Sequence, residues 1–329
     1  MQNLTFLFFL LSFTSLQAAT IFVSANGAGN GATWADATDL QTALTTAQYG
    51  DEVWVARGTY FPTTNTDRNA SFIIKDGVKV YGGFSGRETS TAQRNLLANP
   101  TVLSGEIASP SIDDNSYSVV YTKNVSSATV VDGFDIRGGA ANAAVSGEGN
   151  RQRCGGGWFN TGANSHDGSN PTIKNCTFTA NYAREGAGMY NFGKNGVCQP
   201  TLVSCTFTNN KADLDGGAMF NNGNAGTSSP RIENCSFSNN EATYGGAILN
   251  NATYNGKCNP SLTNCDFAAN TSYLRGGSLH NIAQGGGVCE PIVQNCDFDN
   301  NYSTVGKKQY LTASNSSKKA KGKSIITVK

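Results

Sequence analysis

The chain predicts an all-β fold, a single-stranded right-handed parallel β-helix. It is a solenoid of about 30-residue coils with a short N-terminal capping helix. Three observations predict it. Five related segments run PTIKNCTFTAN from Pro171, PTLVSCTFTNN from Pro200, PRIENCSFSNN from Pro230, PSLTNCDFAAN from Pro260 and PIVQNCDFDNN from Pro291, so the repeats span 171–301. Their prolines are 29, 30, 30 and 31 residues apart, a period at which each repeat covers its neighbour's apolar face. A second signal lies between copies, GAGMYN at Gly186–Asn191, GGAMFN at Gly216–Asn221, GGAILN at Gly245–Asn250 and GGSLHN at Gly276–Asn281, with GGWFN at Gly156–Asn160 in the same place.

Within each copy, short runs of β-branched and aromatic residues alternate and are broken by Asn and Gly, with no helical spacing of apolar residues. Cys176 and Phe178 alternate as inward residues, whereas Ile173 is out of phase with them. One residue between must turn a corner, and Asn175 suits it because Asn tolerates the left-handed conformation. Asn234, Asn264 and Asn295 repeat it, with Ser204 as the exception. Three strands and three corners fit such a coil, right-handed by the chirality of parallel crossovers and rising about 4.8 Å. Phe178, Phe207, Phe237, Phe267 and Phe298 then form one aromatic ladder, and Asn181, Asn210, Asn240, Asn270 and Asn301 a corner ladder.

From the N-terminus, residues 1–18 read as a signal peptide: they are uncharged, with the apolar core LTFLFFLLSF and small residues at Ala18–Ala19. No later stretch is long and apolar enough to span a membrane. Thr33 to Ala47 carries Leu40, Ala43, Leu44 and Ala47 on one helical face, with Asp36 or Thr38 as cap; this helix covers the first coil. Strands follow at Glu52–Ala56, Phe72–Ile74, Val78–Tyr81, Val102–Leu103, Val119–Tyr121 and Ala128–Ile136. VVDGFDIRGG at Val131–Gly139 is a divergent copy that places Phe134 where later copies have Cys. The Gly- and Asn-rich insertion 140–170 interrupts the repeat. The β-helix is read as one domain over 19–312, ending where Lys307 and Lys308 replace small residues. A Lys-rich tail follows at 313–329, of which Ser324–Lys329 lies across the last coil. Residues 1–306 carry 17 Lys and Arg against 23 Asp and Glu, and the remainder seven Lys and no acid. A basic end with no aromatic ladder beside it reads as solvated chain, so nucleic acid is not the expected partner.

The paired FxxN and GGA[IM] tetrads resemble the repeat of polymorphic outer membrane proteins. TIFVSANGAGNGATWADATDLQTAL, GDEVWVARGTYFPT and VYGGFSGRET resemble the start of secreted β-helix proteins of the pectin-lyase-like superfamily. Together the resemblances cover nearly all of the chain after residue 18. They imply an exported, often surface-attached β-helix, on a fold that hosts lyases, hydrolases, adhesins and stalks alike.

Nine cysteines leave at least one unpaired. Cys176, Cys205, Cys235, Cys265 and Cys296 read as buried small hydrophobes. Cys258 and Cys289, each two residues before a repeat proline, fall on adjacent coils and are the disulfide candidates. Asp266, Asp297 and Asp299 form the best acidic cluster. Stacked carboxylates would invite Ca²⁺, although the same ladder is plainly polar upstream at Thr177, Thr206 and Ser236. No paired aspartates with a nearby cation, and no GHG, mark a lyase or polygalacturonase site. The binding candidates are Phe159, Tyr190, Phe220 and His280, which with Leu249 and Tyr310 alternate outward in the Gly-rich strand. Exposed, they would stack sugar rings or a partner's surface; the loops would otherwise bury them. The expectation is an exported or cell-surface adhesin or glycan-binding module without turnover. The alternative is a polysaccharide lyase or glycoside hydrolase, Ca²⁺-assisted.

Overall fold

The computed structural model describes residues 18–107 and 109–305, together with the backbone of strands Tyr310–Asn315 and Ile326–Val328. The expected signal peptide therefore lies outside the described residues, apart from Ala18. All strand pairings within the ladders are parallel, and the chain winds as an all-β solenoid of about nine turns. One regular coil carries four strands rather than the three expected: Thr172–Lys174, Thr177–Thr179, Tyr182–Glu185 and Met189–Phe192. Stacking sorts them into four sheets, numbered here in that order, with a minor pairing of Val197–Cys198 on Thr227–Ser228. Strands of three or four residues leave room for the extra corner.

Each corner has a backbone cause. Asn175, Ser204, Asn234, Asn264 and Asn295 all adopt φ of 50–55°, the left-handed region that lets Ile173 and Cys176 both face inward despite their offset. In the divergent copy Gly133 takes that place at φ 86°, and Ile136 stacks on Phe178, which sets Phe134 at the cysteine position. Gly186, Gly216, Gly245 and Gly276 turn the chain between the third and fourth sheets, at φ of 61–74°.

The core is a set of columns. Phe178, Phe207, Phe237, Phe267 and Phe298 stack with centroids 4.4–5.0 Å apart and planes within 7°. The five ladder cysteines are buried beside them. Asn240 shows how the corner ladder is satisfied. Its Nδ2 donates to the Phe207 carbonyl (3.0 Å) and to Asn270 Oδ1 (2.9 Å); its Oδ1 accepts from the Asn210 backbone N–H (3.1 Å) and Nδ2 (3.0 Å). Every polar atom of a buried amide is thereby used. A second buried amide ladder lies in the fourth sheet, Asn160–Asn191–Asn221–Asn250–Asn281, with links of 2.7–3.2 Å.

The capping helix is shorter than expected. A 3₁₀ turn at Trp34–Asp36 is capped by Thr33, and the α-helix runs Leu40–Thr46 with Asp39 as its cap (Thr42 N–H to Oδ1, 2.9 Å). Neither Asp36 nor Thr38 caps it, because Thr38 pairs as extended backbone with Val23. Leu40, Ala43, Leu44 and Ala47 still join the main core and close its first coil. At the other end, Tyr310–Asn315 pairs with Leu279–Gln284 and Ile326–Val328 with the strand Ile292–Asp299. The winding thus continues past Lys307 and Lys308, into the stretch read as a tail.

Candidate functional site

Of the two readings of the fourth-sheet stripe, the buried one holds, and it forms a satellite core. Tyr190 is 0% exposed, Phe159 3%, Phe220 4% and His280 3%. Phe159 and Tyr190 stack at 5.4 Å and 7°, Phe220 meets Tyr190 edge-on at 5.1 Å, and the Tyr190 hydroxyl accepts from Asn222 Nδ2 at 2.9 Å. The 140–170 insertion joins the pre-proline loops in the cover. Its Cys154 packs against this cluster and its Glu148 accepts from Lys194 (2.7 Å), Asn222 (2.9 Å) and Asn224 (2.8 Å). These contacts hold the Glu148 carboxyl below the usual range even as burial pushes it up. The Tyr310 side chain lies outside the described residues.

The other two candidates change as well. Asp266 and Asp297 stack in register and Asp299 follows over Ala268, but all three are exposed, and Asp299 is bound by Asn300 Nδ2 at 2.9 Å. Among the described residues no group of three metal-ligating side chains converges. The three acids share an outer face without closing around a point, so the acidic cluster is not a cation cage. Cys258 and Cys289 are buried neighbours but free thiols, not a disulfide. The Cys258 sulfur is turned to the Ser228 carbonyl (2.9 Å) and that of Cys289 towards the Asn250 carbonyl (3.8 Å).

What the structure does bring together is the residue just before each repeat glycine. Glu185, Asp215, Tyr244 and Arg275 end successive strands of the third sheet and stack in register, with Cys154 bridging above Glu185. Arg153 forms an ion pair with Glu185, and the Cys154 thiol donates to the other Glu185 oxygen at 3.6 Å. Burial and the Glu185 charge push the Asp215 carboxyl up to about 7, although Arg153 opposes the shift. Burial and Glu185 push the Cys154 thiol up, which leaves it inert as a nucleophile. His280 lies against Tyr244 at 5.7 Å and 26°; burial and then Arg275 pull its pKa down to about 4, so it is neutral at pH 7. Exposure rises along the column, from buried Glu185 through half-buried Asp215 and Tyr244 to exposed Arg275. The sequence reading looked for binding residues after the repeat glycines and did not read the position before them as a column, because its side chain differs in every copy. Applying the ladder rule to that residue would have found it.

Beside this corner lies the outer face of the third sheet, where three tyrosines sit among charges. Tyr182 donates to Asp213 (2.6 Å) and Tyr273 to Glu241 (2.9 Å) across neighbouring coils, while Lys211 pairs with Glu241 at 3.4 Å. Tyr273 is 50% and Tyr302 51% exposed. Tyr182, Lys211, Glu241, Thr271 and Tyr302 form one column in register.

The raised Asp215 pKa has a consequence for stability. The folded state holds a proton that the unfolded chain releases near pH 4, so this carboxyl makes stability fall as pH rises from about 4 to about 7. Asp215→Asn is expected to remove that slope. By urea unfolding the variant should be roughly 2–4 kcal/mol more stable than the parent near pH 8 and about equal to it near pH 3. Equal differences at both pH values would show that Asp215 titrates normally.

No protein-family profile matches the chain, and no curated protein sequence matches it. Among solved structures, the chain is similar to the pectate lyase Pel9A, with 10% identity and a TM-score of 0.48 over 91% of this chain and 78% of that one. It is also similar to a rhamnogalacturonan lyase, with 10% identity and a TM-score of 0.35 over 90% and 84%. Both likenesses are of overall winding, at an identity that pairs no residues. No helix among the described residues is long and apolar enough to cross a membrane.

Proposed function

We propose that this chain is an exported, surface-directed β-helix that binds polysaccharide along the outer face of its third sheet, without turning it over. The observation that carries the reading is the set Tyr182, Tyr273 and Tyr302, two of them half exposed, interleaved with Asp213, Glu241 and Lys211 on a flat parallel sheet. Aromatic faces stack on the apolar faces of sugar rings, and carboxylates and amines answer the hydroxyls around them. A sheet whose coils repeat about every 4.8 Å offers such contacts at a regular spacing to a polymer that is itself periodic. The glycan-binding surface thus moves from the fourth sheet, where the sequence suggested it, to the third.

A second reading, a polysaccharide lyase or glycoside hydrolase, is favoured by one observation. A carboxyl poised at about 7 beside a second carboxylate and an arginine is what general acid–base catalysis requires. One experiment separates the two. The chain from Ala19 is applied to a glycan array and to a polysaccharide-depolymerisation screen, each with and without Ca²⁺. Binding without cleavage, lost in Tyr273→Ala, is the expected result. Cleavage of any polysaccharide, lost in Asp215→Asn, would establish the second reading.

A further inference from the structure

We propose that the corner Asp215–Tyr244–Arg275, backed by His280, is a subsite for a neutral sugar unit that presents two adjacent hydroxyls. The inference rests on the glycan-binding reading and adds to it a place and a sugar chemistry. Asp215, Tyr244 and Arg275 are one coil apart in register, so an acid and a cation flank an aromatic ring about 5 Å to either side. The two charged ends have spare capacity. The Asp215 carboxylate has no hydrogen bond or ion pair among the described residues, since Arg153 is held by Glu185. The Arg275 guanidinium is exposed and likewise unpaired among them. Tyr244 is half-buried, with His280 against its ring and its inner side on the satellite core, so a ligand would meet its remaining exposed edge.

His280 backs the corner from its buried side. It is 3% exposed and its Nδ1 has no hydrogen-bond partner among the described residues. The charges around the corner select the ligand. Glu185 and Asp215 are close enough for one to raise the other's pKa, and Glu185 already neutralises Arg153. An anionic sugar lying over Asp215 would face that same field. A neutral diol would instead donate both hydroxyls to the carboxylate, pack against the exposed edge of Tyr244 and accept from Arg275. The groups facing Asp215 are Glu185, Arg153 and Tyr244, with Arg275 and His280 beyond the ring. Only the ionised carboxylate accepts both hydroxyls, so affinity should rise as pH passes through about 7.

The test is calorimetric titration of the chain from Ala19 with linear neutral hexose oligosaccharides and, separately, with hexuronate oligomers, at about pH 6 and about pH 8. Neutral oligosaccharides should bind more tightly at the higher pH. Arg275→Ala and Asp215→Asn should each weaken binding roughly tenfold, the latter also removing the pH dependence. Arg275 is exposed, so its variant decides the matter if Asp215→Asn is misfolded by thermal melting. Unchanged affinity in Arg275→Ala, with loss in Tyr273→Ala, would overturn the subsite while leaving the sheet-face reading intact. Binding confined to hexuronates would overturn the choice of sugar. No binding by either class would overturn both readings.

Discussion

Asn240→Asp is expected to cost the fold about 4 kcal/mol or more. The native amide spends Nδ2 on the Phe207 carbonyl and on Asn270 Oδ1, two acceptors that a carboxylate can only oppose. The variant therefore loses two buried hydrogen bonds and, if ionised, leaves a charge in a dry core. Protonation would restore one donor, and burial raises the pKa of such a group, so the loss should be smaller near pH 4 than near pH 8. Urea unfolding at both values checks this. A uniform loss below about 1 kcal/mol would mean that the amide ladder is solvated rather than structural. Asn300→Asp is the natural control, because Asn300 is exposed one residue before the ladder.

The second large effect belongs to the phenylalanine column. Phe237 lies between Phe207 and Phe267, 5.0 and 4.8 Å away with near-parallel rings, and is fully buried. Phe237→Ala should cost about 3–5 kcal/mol, since a closely packed column relaxes little around the cavity. Phe298 is only partly buried at the last repeat, and Phe298→Ala should cost well under half as much. Denaturant midpoints of the two variants, at unchanged m-value, test the ranking; equal losses would contradict it.

How far the molecule was legible depends on whether a position repeats. Phe178 and its equivalents, the cysteine column and the left-handed Asn175 corner are identical or nearly so in the five repeats from Pro171, and one rule of stacking places all of them. Even Ser204, the exception to the corner, takes the same backbone. The third strand of each coil was missed because the run from Tyr182 to Phe192 was divided only by Gly186. The glycine corner there is as sharp as the asparagine one. Burial of Phe159 and Tyr190 was one of the two outcomes the alternation allowed, but the way they are covered was not legible. It depends on a single non-repeating insertion folding back through Glu148 and Cys154, and no periodic signal reports where an insertion goes. The Glu185–Asp215–Tyr244–Arg275 column was hidden for the opposite reason: its place repeats while its chemistry does not. Sites on a solenoid are best sought at positions fixed in register and variable in side chain, since constant positions are occupied by packing.

Hydroxyl-radical footprinting with and without a saturating glycan tests most directly that the third sheet is the binding face. Tyr182, Tyr273 and Tyr302 should lose most of their oxidation when ligand is present, while Tyr49 and Tyr254, 65% and 70% exposed elsewhere, should not change. Protection of Tyr254 or Tyr49 with the three sheet tyrosines unaltered would contradict the account.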